Sequence, residues 1–169
     1  GGLRSAGAIN DARRLINLLG IPAVAAWAAF DNMPCDHPLY AGNIGSYGQR
    51  KANYTIQNAD LVVALGARLN IRQTGGSPST FARAAKKIMV DIDPFELERA
   101  SVSIDLPIKC DLKFFFRLLF EELSPVPPKL DIDEWRQIVA GYKRDYTEVL
   151  SEYYKQTDSV NVYVFLKTL

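Results

Sequence analysis

The sequence is poor in the residues that most often carry metal and redox chemistry. It holds one histidine, His37, and two cysteines, Cys35 and Cys110, in 169 residues. Two isolated cysteines exclude a disulfide framework, and with a single histidine they exclude the usual structural zinc site. No apolar run reaches the roughly 18 residues of a membrane-spanning helix. Lys and Arg number 20 against 19 Asp and Glu, so no basic field favours nucleic acid or an anionic membrane. The G-x-G-x-x-G fingerprint is absent, which removes the main sequence argument for a conventional NAD site. Glycine is scarce beyond the first half: ten of the eleven lie within residues 1–76, and the other is Gly141. A hydrophobic fraction of 48% is enough for a real core, and the length fits one domain with part of another.

Short apolar runs alternate with helical patterns. Residues 5–19 read as a helix with Ile9, Ala12, Ile16 and Leu19 on one stripe, stopped by Gly20. Residues 22–27 read as a strand, 28–46 as turn-rich chain and 47–58 as a helix. Leu61–Leu65 is the clearest strand, apolar on both faces as if covered from both sides. A helix is expected over 78–86, a strand over Ile88–Ile92 that Asp93-Pro94 ends, and an extended piece over 108–110. Asp111 is placed to cap an apolar helix over 112–123. This alternation predicts an α/β fold with a parallel sheet and helices on both faces. Three prolines in Ser124–Leu130 form a stiff linker. Residues 131–169 read as a helical extension, with Asp133 capping a helix whose aromatic stripe runs from Trp135 to Tyr154 and packs on a neighbouring domain. Asn161–Leu169 opens a further helix. The expected organisation is therefore an α/β unit over 1–123, the linker, and the extension, cut from a larger protein at both ends.

Small and charged residues gather after the expected strands: Gly1 and Gly2, Gly66 and Arg68, Asp91 and Asp93, and Asp111. In open parallel sheets ligands occupy the crevice beyond the carboxyl ends of the strands, where glycine admits a diphosphate and a carboxylate receives ribose hydroxyls. This reading requires Gly66, Asp91 and Asp111 to end neighbouring strands of one sheet. The same residues serve equally well as caps and turns, and Arg68 could meet a phosphate or a carboxylate. His37 reads as a surface or cap residue and Cys35 as a buried free thiol. No nucleophile–base arrangement or metal cluster emerges, so no catalytic residue is assigned.

The succession His37–Gly48, Ala52-Asn-Tyr54 and Gln57–Arg68 resembles the central domain of thiamine-diphosphate-dependent enzymes, most closely the acetolactate synthase group. Asn70, Arg72, Thr74, Gly75, Asp91–Pro94, Glu96 and Ile108–Asp111 continue it. The resemblance covers about residues 1–123 and implies a Rossmann-like domain, and the segment from Asn161 onward resembles the start of the diphosphate-binding domain. The resemblance also implies partner domains, one pyrimidine-binding and one diphosphate-binding, that hold thiamine diphosphate and Mg2+ outside this chain. Small 2-keto acids would be the substrates, in a cytoplasmic homo-oligomer. Gly1, Gly2, Gly66, Arg68, Arg72, Asp91, Asp93 and Asp111 match positions that resemble the family's flavin-nucleotide cradle, so FAD or ADP is the expected ligand. The chain departs from the resemblance at Ala26–Asp31 and at Gly45-Ser-Tyr-Gly48, where Trp27 and Phe30 narrow the space for a flavin ring. An autonomous or degenerate nucleotide-binding assembly domain is the alternative.

Overall fold

A computed structural model describes residues 1–99, 101–126 and 128–169. The expected α/β class holds, but the strands form two parallel sheets instead of one. β1 (Ala23–Ala25) pairs with β2 (Tyr40–Asn43), and β3 (Leu61–Leu65), β4 (Lys86–Asp91) and β5 (Leu106–Lys109) form the second sheet in that order. The strand β2 lies in the stretch read as turns. It is four residues long between Pro38 and Gly45, too short for periodicity to reveal, and its burial comes from tertiary contact.

One face of the three-stranded sheet buries Val62, Ala64 and Met89 with Ala52 and Ile56 of α3 (Arg50–Gln57) and with Phe81, Ala82 and Ala85. On the other face Leu65, Val90 and Ile108 pack against α2 (Ile9–Leu19) and α6 (Leu112–Leu123) through Ala12, Leu15, Leu112 and Phe116. These helices cover only the carboxyl end of β3. Leu61 and Val63 are about half exposed, so the full coverage expected of this strand is corrected.

Several boundaries move for local reasons. The helix expected over 5–19 is two helices, α1 (Gly2–Ser5) and α2, because Gly7 adopts φ 64° between them. Gly20 ends α2 in the left-handed conformation, as expected. The helix expected over 78–86 shrinks to a 3-10 turn at Pro78–Thr80, because Lys86 already begins β4. Asp93-Pro94 ends a strand and also starts α5 (Pro94–Glu98), with Asp93 accepting from the Phe95 amide at 2.9 Å and proline at the first helical position. Asp111 caps α6 by accepting from the Phe114 amide at 3.1 Å, as the sequence predicts. Asn161 does the same for α8 (Val162–Thr168). The proline linker falls partly on Pro127, outside the described residues.

The aromatic stripe of the extension packs in part on the α/β unit, while Ile138, Leu150 and Tyr154 stay exposed. α7 (Asp133–Asp145) places Tyr142 and Tyr146 against Tyr54 of α3, with ring centroids 5.7 and 4.8 Å apart. Lys143 Nζ donates to the carbonyls of His37 (3.1 Å) and Pro38 (2.9 Å), and burial lowers its pKa. Arg136 Nε donates to the Gly20 carbonyl at 2.7 Å, closing the carboxyl end of α2. The helix stops at Asp145 instead of reaching Tyr154, and Asp133 is its first residue while Ile132 takes the cap position. Cys35 is exposed, correcting the buried thiol, whereas His37 is a loop clasp: Nε2 lies 3.1 Å from Asn17 Oδ1 and Nδ1 accepts from the Leu39 amide.

At the opposite end of the sheet, Asp105 accepts from the Lys87 amide at 2.9 Å and from Lys86 Nζ at 3.3 Å. The Lys87 amide bond foremost, then Lys86, holds its carboxyl below the ordinary value. A depressed folded pKa gives stability that is complete above the unfolded value of about 4 and is lost as pH falls through the folded one. Asp105→Asn should therefore flatten the acid limb of the pH–stability curve below about pH 4. Denaturant midpoints measured from pH 6 to pH 2 check this, and parallel curves for the two proteins would refute it.

Candidate functional site

The carboxyl ends of β3, β4 and β5 lie side by side. Leu65 pairs with Val90, Val90 with Ile108, and Asp91 with Lys109. The ladder continues into the loops, since the Gly66 amide donates to Val90 O (2.9 Å) and the Cys110 amide to Asp91 O (3.0 Å). Gly66, Asp91 and Asp111 thus end three adjacent parallel strands, as the cradle reading requires.

Close geometry shows what each residue already does. Gly2 donates its amide to Gly66 O at 3.2 Å. A Cβ on Gly2 would sit 2.6 Å from Gly66 Cα, and one on Gly66, at φ 58°, would sit 2.8 Å from Gly2 Cα. Both glycines are required for backbone to pass backbone where the start of α1 crosses the turn after β3. Gly1 faces only Ala28, 3.8 Å from its notional Cβ. Gly66→Ala should lower stability by about 1–3 kcal/mol, from left-handed strain plus the lost contact. Thermal unfolding reads this, and an unchanged midpoint would show that the glycine contact is dispensable.

The carboxylates are half committed. Asp91 Oδ1 accepts from the Asp93 amide at 3.0 Å, Asp93 caps α5 and Asp111 caps α6. Among the described residues the second oxygen of Asp91 and of Asp111 has no hydrogen-bond partner on the protein. Arg72, on α4 (Ile71–Thr74), gives its carbonyl to the Ser46 amide and leaves an exposed guanidinium that pairs with no acid among the described residues. Arg68, for which phosphate and carboxylate were both open, lies with Nε 3.1 Å from Glu96 Oε1 while remaining 66% exposed. Glu96 is buried at 5% exposure, and Arg99 hydrogen-bonds both of its oxygens. Glu96 entered the sequence reading only as part of a motif and Arg99 not at all. Their three-residue spacing on one helix was the available signal.

Beyond β1 and β2, Trp27 and Tyr47 stand edge to face with centroids 6.1 Å apart, both largely exposed. Two open surface depressions lie elsewhere, one between α2 and α6 and one beside α1 and α2. Among the described residues no three His, Cys, Asp or Glu side chains converge as metal donors, and no helix is long and apolar enough to cross a membrane.

Residues 1–119 match the family model described as "Thiamine pyrophosphate enzyme, central domain". The chain is 38% identical over 140 residues to "Probable acetolactate synthase 2, chloroplastic" of Oryza sativa subsp. japonica, covering 80% of this chain and 21% of that protein. It is 30% identical over 158 residues to "Probable acetolactate synthase large subunit" of Methanococcus aeolicus, covering 89% and 26%. It is 37% identical over 137 residues to "Acetolactate synthase" of Mycobacterium avium, covering 80% and 22%. The chain therefore spans about a fifth to a quarter of the length of these relatives. With the family model spanning all five strands of the α/β unit, the chain belongs to the central-domain family of thiamine pyrophosphate enzymes.

Proposed function

We propose that this chain is the scaffold and nucleotide-binding portion of an acetolactate-synthase-like enzyme that decarboxylates a 2-keto acid and joins the fragment to a second one. The α/β unit ends near residue 123, and residues 131–169 form the helical connector and, from Asn161 onward, the start of a diphosphate-binding domain. The observation that carries the nucleotide site is the register that sets Gly66, Asp91 and Asp111 at three adjacent strand ends. There the free oxygens of Asp91 and Asp111 would receive ribose hydroxyls, and Arg68 and Arg72 would meet the diphosphate of ADP or FAD. In this reading thiamine diphosphate and Mg2+ belong to the flanking pyrimidine-binding and diphosphate-binding domains, and among the described residues no three His, Cys, Asp or Glu side chains converge. The assembly is a cytoplasmic homo-oligomer in this reading, although some relatives carry "chloroplastic" in their names.

A second reading, an assembly domain that holds no nucleotide, draws on the packing of Gly2 against Gly66 and the cap roles of Asp93 and Asp111. Calorimetric titration of the chain with ADP, FAD and NAD separates the two. Saturable binding of ADP or FAD supports the first reading, and no binding of any supports the second. The 169-residue chain supplied with thiamine diphosphate, Mg2+ and pyruvate should show no turnover. Measurable acetolactate or acetaldehyde would overturn the division of labour between domains.

A further inference from the structure

Glu96 is buried as deeply as an apolar core residue, and among the described residues no other acid is. A carboxylate in that position keeps its charge only beside a counter-ion. Two guanidinium groups meet it, and they do so differently. Arg99, from the end of α5, hydrogen-bonds Oε2 through Nε at 3.3 Å and Oε1 through a terminal nitrogen. This two-pronged arrangement by itself satisfies the carboxylate. Arg68, from the loop after β3, approaches Oε1 with Nε at 3.1 Å as an ion pair, and its side chain remains about two-thirds exposed. Within this trio one buried negative charge faces two positive ones, while Asp91 and Asp93 stand at the end of β4 close by.

We propose that Arg99 is a positioning residue that makes Arg68 exchangeable. Arg99 neutralises Glu96 permanently, so Arg68 can turn to the diphosphate of an incoming nucleotide without stranding a buried charge. The inference rests on the nucleotide reading above and adds the device that releases the anion-binding arm. Without Arg99, Arg68 would be the sole counter-ion of Glu96, and every diphosphate contact would compete with the buried carboxylate.

The test titrates inorganic pyrophosphate and ADP into the full chain and into its Arg68→Met, Arg99→Met and Arg99→Lys variants. Calorimetry gives the affinity, and the Nε–H resonances of the arginines are followed by NMR. In the unaltered chain pyrophosphate should shift the Arg68 Nε–H signal and leave that of Arg99 in place. Arg99→Met should weaken both ligands at least about tenfold, the scale set by competition with a buried charge. Arg99→Lys, which keeps the charge but not the fork, should recover part of that loss. If Arg99→Met binds as tightly as the unaltered chain, or if the Arg99 signal moves in place of Arg68, the proposal falls while the nucleotide reading stands. If ADP binds and Arg68→Met leaves its affinity unchanged, the result is the same. If neither ADP nor pyrophosphate binds the unaltered chain, the nucleotide reading falls and takes the proposal with it.

Discussion

Phe116→Ala is expected to lower the free energy of unfolding by about 3–5 kcal/mol, the range for truncating a fully enclosed aromatic ring. Phe116 is 1% exposed at the centre of the cluster that joins α2, α6 and the three-stranded sheet. Its ring stacks on Phe120 with centroids 6.1 Å apart and meets the edge of Phe115 at 5.7 Å. Removing the ring deletes the apolar burial and leaves a cavity that the strands beneath cannot fill, since Val90 is itself fully enclosed. Equilibrium unfolding in urea measures the loss. A change below about 1 kcal/mol would mean that α6 does not hold the sheet as described.

The second large effect is non-additive. Arg68→Met or Arg99→Met alone should cost about 1 kcal/mol or less, because each guanidinium is about two-thirds exposed and the other still neutralises Glu96. Both together leave the carboxylate buried without a counter-ion, and the double variant should lose about 3–5 kcal/mol at neutral pH. A double-mutant cycle by chemical denaturation yields the coupling directly. Simple additivity of two small losses would show that Glu96 is solvated or protonated without them.

Both predictions concern places where the sequence was informative in unequal measure. The helix Leu112–Leu123 and its Asp111 cap were legible because an acceptor side chain followed by an apolar run encodes a helix start locally. The strand Leu61–Leu65 was legible for the same reason, as an unbroken apolar run between a helix and a glycine. The Glu96–Arg68 pair was not, because Arg68 and Glu96 are 28 positions apart and meet only when β3 and β4 align. The strand Tyr40–Asn43 also escaped, since four residues among turn formers carry no period, and so did the choice of Tyr54 as the partner of Tyr142 and Tyr146.

Local patterning determined the class of fold, the alternation of strands and helices, most of the caps, and the set of small and acidic residues that end the strands. These follow from side-chain period, capping chemistry and backbone restrictions acting within a few residues. Tertiary structure decided that the strands fall into two sheets and that Gly2 and Gly66 serve each other. It also decided that Arg68 answers to Glu96 and that the extension folds back on α3. These outcomes depend on which distant segments exclude water together, and burial of that kind is a property of the whole packed chain.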